Sequence, residues 1–148
     1  MKDLIIRAGT PDDIPAIVSL GIEALERDPY PGLVISKDKV KALAMECVTG
    51  AGNASFIAEY KGEVVAAVSA IIHEQMVYER KQATVVQYYT RKAGAGIEVM
   101  RAFLEWAKPR RGIKNIIFTL EARGDERIGK LLNRMGFELE LPVYMRTR

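Results

Sequence analysis

The stretch VVQYYTRKAGAGIEVMRAFLEWAK, which runs from Val85 to Lys108, decides the fold. Its first residues are β-branched or aromatic, which is typical of a strand. Its second half carries apolar residues three and four positions apart, the spacing of one helix face. A basic pair and two glycines, in the segment Arg91–Gly96, separate the two patterns. The stretch therefore predicts a strand that leads directly into a helix through a basic, glycine-containing junction.

This junction, Arg91–Gly96, has the properties of a phosphate-binding site. The first N–H groups of a helix have no acceptor within the helix and lie at the positive end of its dipole, where phosphate binds well. Glycines allow a close approach to the backbone, and Arg91 can hold a phosphate through two hydrogen bonds. The segment is not a Walker loop, and Val99 stands where a dinucleotide fingerprint needs Gly or Ala. A second reading stays open, in which the glycines only allow the helix to pack closely on the strand.

The remaining chain predicts a mixed α/β sheet with helices on its faces, in the order β-α-α-β-β-β-α-β-α-β. Thr10 and Ser36 have the residue types of helix N-caps, and Gly62 lies in a hairpin turn. The segment FELELPVYMRTR at residues 137–148 predicts a last strand. Because no repeat or linker interrupts this order, we expect a single domain over residues 1–148.

Composition limits the class of protein. Of the 148 residues, 49% are hydrophobic and 28% charged, which is typical of a soluble globular protein. No apolar run approaches the roughly 20 residues of a membrane span, and the N-terminus does not resemble a signal peptide. Cys47 and His73 are the only cysteine and the only histidine, so we expect neither a disulfide nor a Cys/His metal site. These features predict a cytoplasmic protein, and its net charge of +3 favours an anionic ligand.

Four segments in the same order resemble the GCN5-related N-acetyltransferase superfamily. The signature of this family, Gln/Arg-x-x-Gly-x-Gly/Ala between its fourth strand and third helix, corresponds to Arg91–Gly96. IIRAGTPDDIPAI is similar to its opening strand and helix, AEYKGEVVAAVSA to its second hairpin, and NRMGFE to the ending of its last helix. The resemblance covers essentially the whole chain, and the DPYPGL insert and short tail resemble compact members common in phage and prophage genomes.

The resemblance implies a fold and an activity. The fold is a central mixed, mostly antiparallel sheet of six to seven strands, flanked by about four helices. The activity is acetyl-CoA-dependent N-acetyl transfer, in which an acceptor amine attacks the thioester directly in a ternary complex without a metal. The acceptor stays open between a small molecule, an antibiotic, a protein N-terminus and a lysine side chain. Homodimers are common in the family, whereas neither a membrane nor a nucleic acid is an expected partner.

The resemblance also implies a cofactor site. The backbone of the fourth strand would pair with the pantetheine arm, and the N–H groups at the start of the third helix would hold the pyrophosphate. An N–H group near Val86 would stabilise the negative charge that develops on the acetyl oxygen. Asp125 stands where many members carry an asparagine that contacts pantetheine. The implied cofactor-binding residues are Thr84, Val85, Val86, Arg91, Lys92, Ala93, Gly94, Ala95, Gly96, Ile97 and Asp125.

The catalytic residues depart from the pattern of the family. Many members carry a tyrosine on the last helix that protonates the leaving thiolate, but Leu132 occupies this position. Water, Tyr88 or Tyr89 would have to supply the proton instead. Glu121, at the end of the fifth strand, is the candidate base, because some members carry a catalytic glutamate there. The absence of the usual acid supports an alternative function, a degenerate member that binds CoA or a partner without turnover.

Two further residues are candidates for contacts with the acceptor. Tyr30 lies in the loop between the first two helices, which borders the acceptor site in this family, and His73 follows the third strand. A third hypothesis, nucleic-acid binding, rests on the basic cluster Lys108, Arg110, Arg111 and Lys114. No aromatic residues interleave with this cluster, and its charge is also explained by compensation of the helix dipole.

Overall fold

The computed structural model describes residues 2–27, 29, 31–119, 126–139 and 146. These residues form five strands and four helices, and none of the helices is long and apolar enough to cross a membrane. The elements are β1 (Leu4–Ala8), α1 (Ile14–Arg27), α2 (Lys37–Thr49), β2 (Ala54–Tyr60), β3 (Glu63–Glu74), β4 (Lys81–Thr90), α3 (Ala95–Ala107), β5 (Ile113–Phe118) and α4 (Glu126–Arg134).

The strands form one sheet in the order β1-β2-β3-β4-β5. All neighbouring strands are antiparallel except β4 and β5, which are parallel because α3 connects them. The predicted mixed, mostly antiparallel sheet is therefore confirmed. The described strand count is five, not the expected six to seven. Phe137–Leu139 lie outside any strand, and the rest of the predicted last strand falls largely outside the described residues.

The predicted helix starts are formed by local hydrogen bonds. The Asp13 carboxylate accepts from the Thr10 N–H at 2.8 Å, within a single 3-10 turn, Pro11–Asp13, that leads into α1. The Ser36 hydroxyl accepts from the Lys39 N–H at 3.3 Å and caps α2. Both side chains satisfy backbone donors that a helix start leaves without partners.

The sheet has a core on each face. Ile57 and Ala67 are opposite residues of β2 and β3, and both face α1 and α2. Their neighbours Ala58 and Val68 face α3, because successive residues of a strand point to opposite faces. Phe103 of α3 is 1% exposed in the second of these cores. The sheet is thus enclosed by α1 and α2 on one side and α3 on the other.

Candidate functional site

The parallel pairing between β4 and β5 ends halfway along β4. It runs from Lys81, opposite Ile113, to Val85, opposite Phe118. β4 continues to Thr90 along β3, but in the described ranges nothing pairs with its second half on the β5 side. We call this second half of β4, residues 86–90, its divergent half. It presents backbone groups at a strand edge that a ligand containing amides can bind as an added strand.

A bulge in β4 lies at the same point. Ser69 of β3 is opposite Gln87, while the next residue, Ala70, is opposite Val85. Val86 is therefore the extra residue of the bulge, which has no opposite residue on β3. Since the pairing with β5 also ends at Val85, Val86 is displaced from both neighbouring ladders. This is the position at which the resemblance predicts an N–H group directed at an acetyl oxygen.

The start of α3 presents a group of backbone donors. The Lys92 N–H donates to the Thr90 hydroxyl and the Ala95 N–H to the Lys92 carbonyl, both at 3.2 Å. Within the described part of the chain, the N–H groups of Ala93, Gly94, Gly96 and Ile97 have no acceptor. They lie at the positive end of a 13-residue helix. An anion with several oxygens can satisfy these donors together.

Both glycines of the junction are required by its geometry. Gly94 precedes α3 with a φ of +86°, a conformation that residues with a side chain rarely adopt. A Cβ atom at Gly96 would lie 2.6 Å from the Tyr88 hydroxyl oxygen and 3.0 Å from the Thr90 methyl carbon. Gly96 therefore allows α3 to pack closely on β4, which leaves both readings of these glycines open. The same packing holds the free N–H groups of α3 against the end of β4.

The basic side chains of the junction have protein partners. The Arg91 Nε donates to Glu23 Oε2 at 2.6 Å and its Nη2 to the Ser19 hydroxyl at 3.2 Å, which ties the junction to α1. The hydrogen bond from Arg91 lowers the pKa of Glu23. The Lys92 ammonium lies 4.0 Å from the centre of the Tyr60 ring. The two cations contribute positive charge at the junction, but the Arg91 guanidinium is engaged by a carboxylate instead of being directed at the start of α3.

The two adjacent tyrosines point to opposite faces of the sheet, as predicted. Tyr88 lies on the α3 side, packs edge-to-face on Phe118 at 5.5 Å between ring centres, and has its pKa raised by burial. Tyr89 packs against the core formed with α1 and α2, and its hydroxyl interacts with Glu23. Of the two candidate acids, Tyr88 has its hydroxyl beside the start of α3.

His73 and Thr84 lie in hydrogen-bond contact. His73 Nε2 is 3.0 Å from the Thr84 hydroxyl oxygen, and its Nδ1 is 3.2 Å from the Glu74 carbonyl oxygen. His73 is opposite Gln82 in the register of β3 and β4, near the end of β3. The sequence indicates His73 as a residue of the acceptor site and Thr84 as a residue of the cofactor site. The fold places their side chains in contact.

Three candidate residues lie outside the described part of the chain: Tyr30, Glu121 and Asp125. Leu132, at the position of the usual tyrosine of the family, is 6% exposed on α4. Its side chain contributes to packing, and α4 as described carries no tyrosine.

Gln87 is a site residue that the sequence reasoning missed. Its Nε2 donates to the Ile17 carbonyl of α1 at 2.9 Å, one residue after the bulge. A Cβ atom at Gly21 would lie 3.2 Å from the Gln87 Oε1, so the glycine gives the side chain room. Two features of the sequence could have indicated this contact: Gln87 is a polar residue within a strand, and Gly21 is a glycine within a helix. The contact fixes the distance between α1 and the divergent half of β4.

Two hollows in the surface of the protein lie outside the candidate site. Two open hollows of about 280 and 360 Å³ adjoin Lys81 and Gly112, at the opposite end of β4 from the junction. Arg110 of the basic cluster lines the smaller one and stacks on Trp106, with its Cζ atom 4.0 Å from the ring centre. Neither hollow is lined by the second half of β4 or by the start of α3, which together form the candidate groove. Among the described residues, no group of His, Cys, Asp and Glu side chains is arranged to hold a metal ion.

Comparisons with known proteins support the same architecture. No protein-family model matches the sequence, and no curated protein sequence matches it either. Among solved structures, the chain is similar to the aminoglycoside N-acetyltransferase AAC(6')-Iy in complex with CoA, with a TM-score of 0.72, 19% identity and coverage of 98% of this chain and 95% of that one. It is also similar to a predicted acetyltransferase with acetyl-CoA from Clostridium acetobutylicum, with a TM-score of 0.75, 14% identity and coverage of 98% and 96%.

A third similar structure is named as a regulator and not as an acetyltransferase. It is a transcriptional regulator from Bacillus halodurans, with a TM-score of 0.72, 20% identity and coverage of 97% of this chain and 99% of that one. At these identities the likeness establishes the fold. The chain has the fold of the GCN5-related N-acetyltransferases, as its sequence predicts.

Proposed function

We propose that this protein is an acetyl-CoA-dependent N-acetyltransferase. One observation carries the proposal: the unpaired edge of β4, the bulge at Val86 and the free N–H groups at the start of α3 lie along one continuous segment. An acyl-CoA needs three features of this kind, because its amide-containing arm links a thioester to a pyrophosphate. The acetyltransferases of the same fold with bound CoA or acetyl-CoA support the choice of ligand.

The cofactor would lie along the divergent half of β4. The amides of its pantetheine arm would pair with the backbone of β4 from Val86 onward, where β4 has no partner on the β5 side among the described residues, and its pyrophosphate would accept from the N–H groups of Gly94, Gly96 and Ile97. The four residue-to-residue steps from Val86 to Thr90 span roughly 13 Å of strand, which leaves room for an extended arm. The side chains of Arg91 and Lys92 add positive potential beside the phosphates and leave direct binding to the backbone.

The reaction needs a site for the developing oxyanion, a base and an acid. The Val86 N–H, released from the ladder by the bulge, would donate to the acetyl oxygen as charge develops there. Tyr88 is the candidate acid, because its hydroxyl lies beside the start of α3, and burial raises its pKa. Tyr89 is less suited to this role, because its hydroxyl is engaged by Glu23. Glu121 remains a candidate base.

The acceptor would be an amine of a small molecule or a protein. An aminoglycoside acetyltransferase in complex with sisomicin is among the structures of this fold that resemble the chain, at 14% identity. This class of amine therefore belongs in an acceptor screen, beside polyamines and lysine peptides. His73 and Tyr30 are the residues that we expect on the acceptor side.

A second candidate function is CoA binding without turnover. The buried Leu132 in place of the usual catalytic tyrosine favours it, and a transcriptional regulator shares the fold. The two candidates make the same prediction for cofactor binding and opposite predictions for acetyl transfer.

Two measurements test the proposal together. The first is the melting temperature in the presence of acetyl-CoA, CoA, ATP or NAD, since a ligand at 100 times its Kd stabilises the folded state by about 2.7 kcal/mol. The second is release of free thiol from acetyl-CoA with sisomicin, spermidine and a lysine peptide. Acetyl transfer is supported if acetyl-CoA and CoA raise the melting temperature, ATP and NAD do not, and at least one amine causes release of free thiol. Stabilisation without release would favour the second candidate, and no stabilisation would contradict both.

Matched glycine variants locate the binding site. Gly94 and Gly62 have φ values of +86° and +82°, so alanine introduces a similar backbone strain at each, about 1–2 kcal/mol. Gly62 lies in the β2–β3 turn, away from the groove. We expect Gly94→Ala to weaken acetyl-CoA binding at least about tenfold, a loss of about 1.4 kcal/mol, and Gly62→Ala to leave it unchanged. Equal affinity in the two variants would exclude the junction as the phosphate site.

A further inference from the structure

The hydrogen bonds of His73 define its tautomer. A carbonyl oxygen only accepts, so the contact between Nδ1 and the Glu74 carbonyl requires the proton on Nδ1. In the neutral imidazole Nε2 then carries a lone pair. The Thr84 hydroxyl, 3.0 Å away, must therefore donate its hydrogen to Nε2. This arrangement orients the lone pairs of the Thr84 oxygen away from the imidazole.

The Thr84 oxygen retains the capacity to accept a proton. In the described structure its other polar neighbour is the Gln82 Nε2, at 3.5 Å, the outer limit of a hydrogen bond. A hydroxyl that donates to an imidazole can accept a proton from a third group while its own proton moves to the imidazole. Thr84 and His73 thus form a pair that can take one proton from a molecule in the groove.

The pair lies next to the position expected for the acetyl group. Thr84 is two residues before the bulge at Val86, roughly 7 Å along the strand. Ala83 and Val85 face the core under α3, so Thr84 points to the other face of the sheet. The acetyl carbonyl at Val86 would then have the start of α3 and Tyr88 on one side of the sheet and the Thr84–His73 pair on the other.

We propose that Thr84 accepts the proton of the acceptor amine and passes its own proton to His73. This inference rests on the proposed N-acetyltransferase function. The amine nitrogen bonds to the carbonyl carbon, the C–S bond breaks, and its electron pair leaves on sulfur. The amine proton moves to Thr84 Oγ1 while the hydroxyl proton moves to His73 Nε2, and Tyr88 protonates the thiolate. Thr84 is the catalytic residue, and His73 acts through it as a positioning residue and final proton acceptor.

The pair predicts a pH dependence of the rate. His73 must be neutral to accept the proton, so kcat falls at a pH low enough to protonate the imidazole. The charged residues beside His73 are Glu74, its neighbour on β3, and Lys81, which is opposite Glu74 on β4. Gln82, opposite His73, and Thr84 are neutral. Glu74→Gln changes this local charge without touching the pair and is the matched control.

Three single variants test the pair with acetyl-CoA and the amine that gives the highest thiol release. Thr84→Val removes the hydroxyl at equal size, and His73→Gln keeps a hydrogen bond but cannot take up a proton. Each is expected to lower kcat by roughly 10²–10⁴-fold, the contribution of a general base. Thr84→Ser keeps the hydroxyl and is expected to recover at least about tenfold over Thr84→Val. Acetyl-CoA affinity should be unchanged, because Thr84 contributes only its backbone to the cofactor site.

The double variant and the pH profile distinguish a relay from a structural role. Because the two residues act as a unit, the double variant His73→Gln/Thr84→Val should be no slower than the slower single variant. The acidic limb of the profile should be lost in His73→Gln and kept in Glu74→Gln. A His73→Gln protein with the wild-type rate and profile would overturn the relay and leave the acetyltransferase intact. Wild-type protein that releases no thiol with any amine would overturn both.

A spectroscopic measurement tests the tautomer without turnover. The ¹⁵N shifts of the neutral imidazole should show Nδ1 protonated and Nε2 unprotonated. Thr84→Val should shift the Nε2 signal, because it removes the donor. A protonated Nε2 in the neutral wild-type protein would overturn the proposal.

Discussion

The contact between Gly96 and Tyr88 gives the sharpest prediction for the junction. In Gly96→Ala the new methyl group would lie 2.6 Å from the Tyr88 hydroxyl oxygen, against an ordinary contact distance of 3.4 Å or more. The tyrosine ring is held by Phe118 on its other side, so it cannot move away freely. Either the ring or the start of α3 must shift by about 0.8 Å, a form of overpacking that typically costs about 1–3 kcal/mol.

The magnitude follows from two opposing effects. Alanine is favoured over glycine in a helix by up to about 1 kcal/mol, so we expect a net destabilisation of about 1–2 kcal/mol for Gly96→Ala. Tyr88→Phe alone should be nearly neutral, because the hydroxyl has no hydrogen-bond partner in the described ranges. In the double variant the nearest atom becomes the Thr90 methyl carbon at 3.0 Å, a much smaller overlap. Tyr88→Phe should therefore recover about 1 kcal/mol of the loss.

Urea unfolding of the wild type and the three variants measures this coupling. The double variant should be more stable than the sum of the single effects by about 1 kcal/mol, which is roughly 2–4 °C in Tm for a chain of this length. Acetyl-CoA affinity should also fall in Gly96→Ala and partly recover in the double variant, because a shift of α3 moves the N–H groups of Gly96 and Ile97. Single effects that add within about 0.3–0.5 kcal/mol would show that the helix start does not rest on the tyrosine.

Two further predictions concern buried ionisable groups. The hydrogen bond from Arg7 lowers the pKa of Asp13 to about 2, below its unfolded value of 3.8, so its stabilisation is complete above pH 5 and is lost as the pH falls toward 2. Between pH 5 and pH 2 the wild type should lose about 1–2 kcal/mol more than Asp13→Asn in urea unfolding, after allowance for the exposure of Arg7, and parallel pH curves would refute this. Burial raises the pKa of the Cys47 thiol to about 12. Its reaction with a thiol reagent should be at least about 100-fold slower in the native protein than in urea, and equal rates would contradict its burial.

The local parts of the fold could be predicted from the sequence. The change from strand to helix around the junction follows from residue type and apolar spacing, and α3 begins at Ala95, within the predicted segment. The helix caps at Thr10 and Ser36 form because their acceptors and donors lie within three residues. The opposite faces of Tyr88 and Tyr89 follow from the period of a strand.

The contacts that build the site depend on pairing over long distances in sequence. Arg91 meets Glu23 only because α1 lies beside the end of β4, and nothing in the junction itself indicates this carboxylate. The bond between His73 and Thr84 depends on the register of β3 and β4, which the bulge at Val86 changes by one residue. Propensity gives no signal for a bulge within a run of valines. The sequence predicts that the Arg91 side chain binds a phosphate, whereas in the structure it binds the distant residue Glu23.

The measurement that tests the central claim most directly is an NMR titration of the ¹⁵N-labelled protein with acetyl-CoA. If acetyl-CoA binds along β4 and the start of α3, the largest amide shifts are expected at Val86, Gly94, Gly96 and Ile97, because their N–H groups would gain acceptors. The amides of β1, on the far edge of the sheet, should not move. Binding with shifts confined to residues near Lys81 and Gly112, or no shifts at all, would contradict an acetyl-CoA site on β4 and α3.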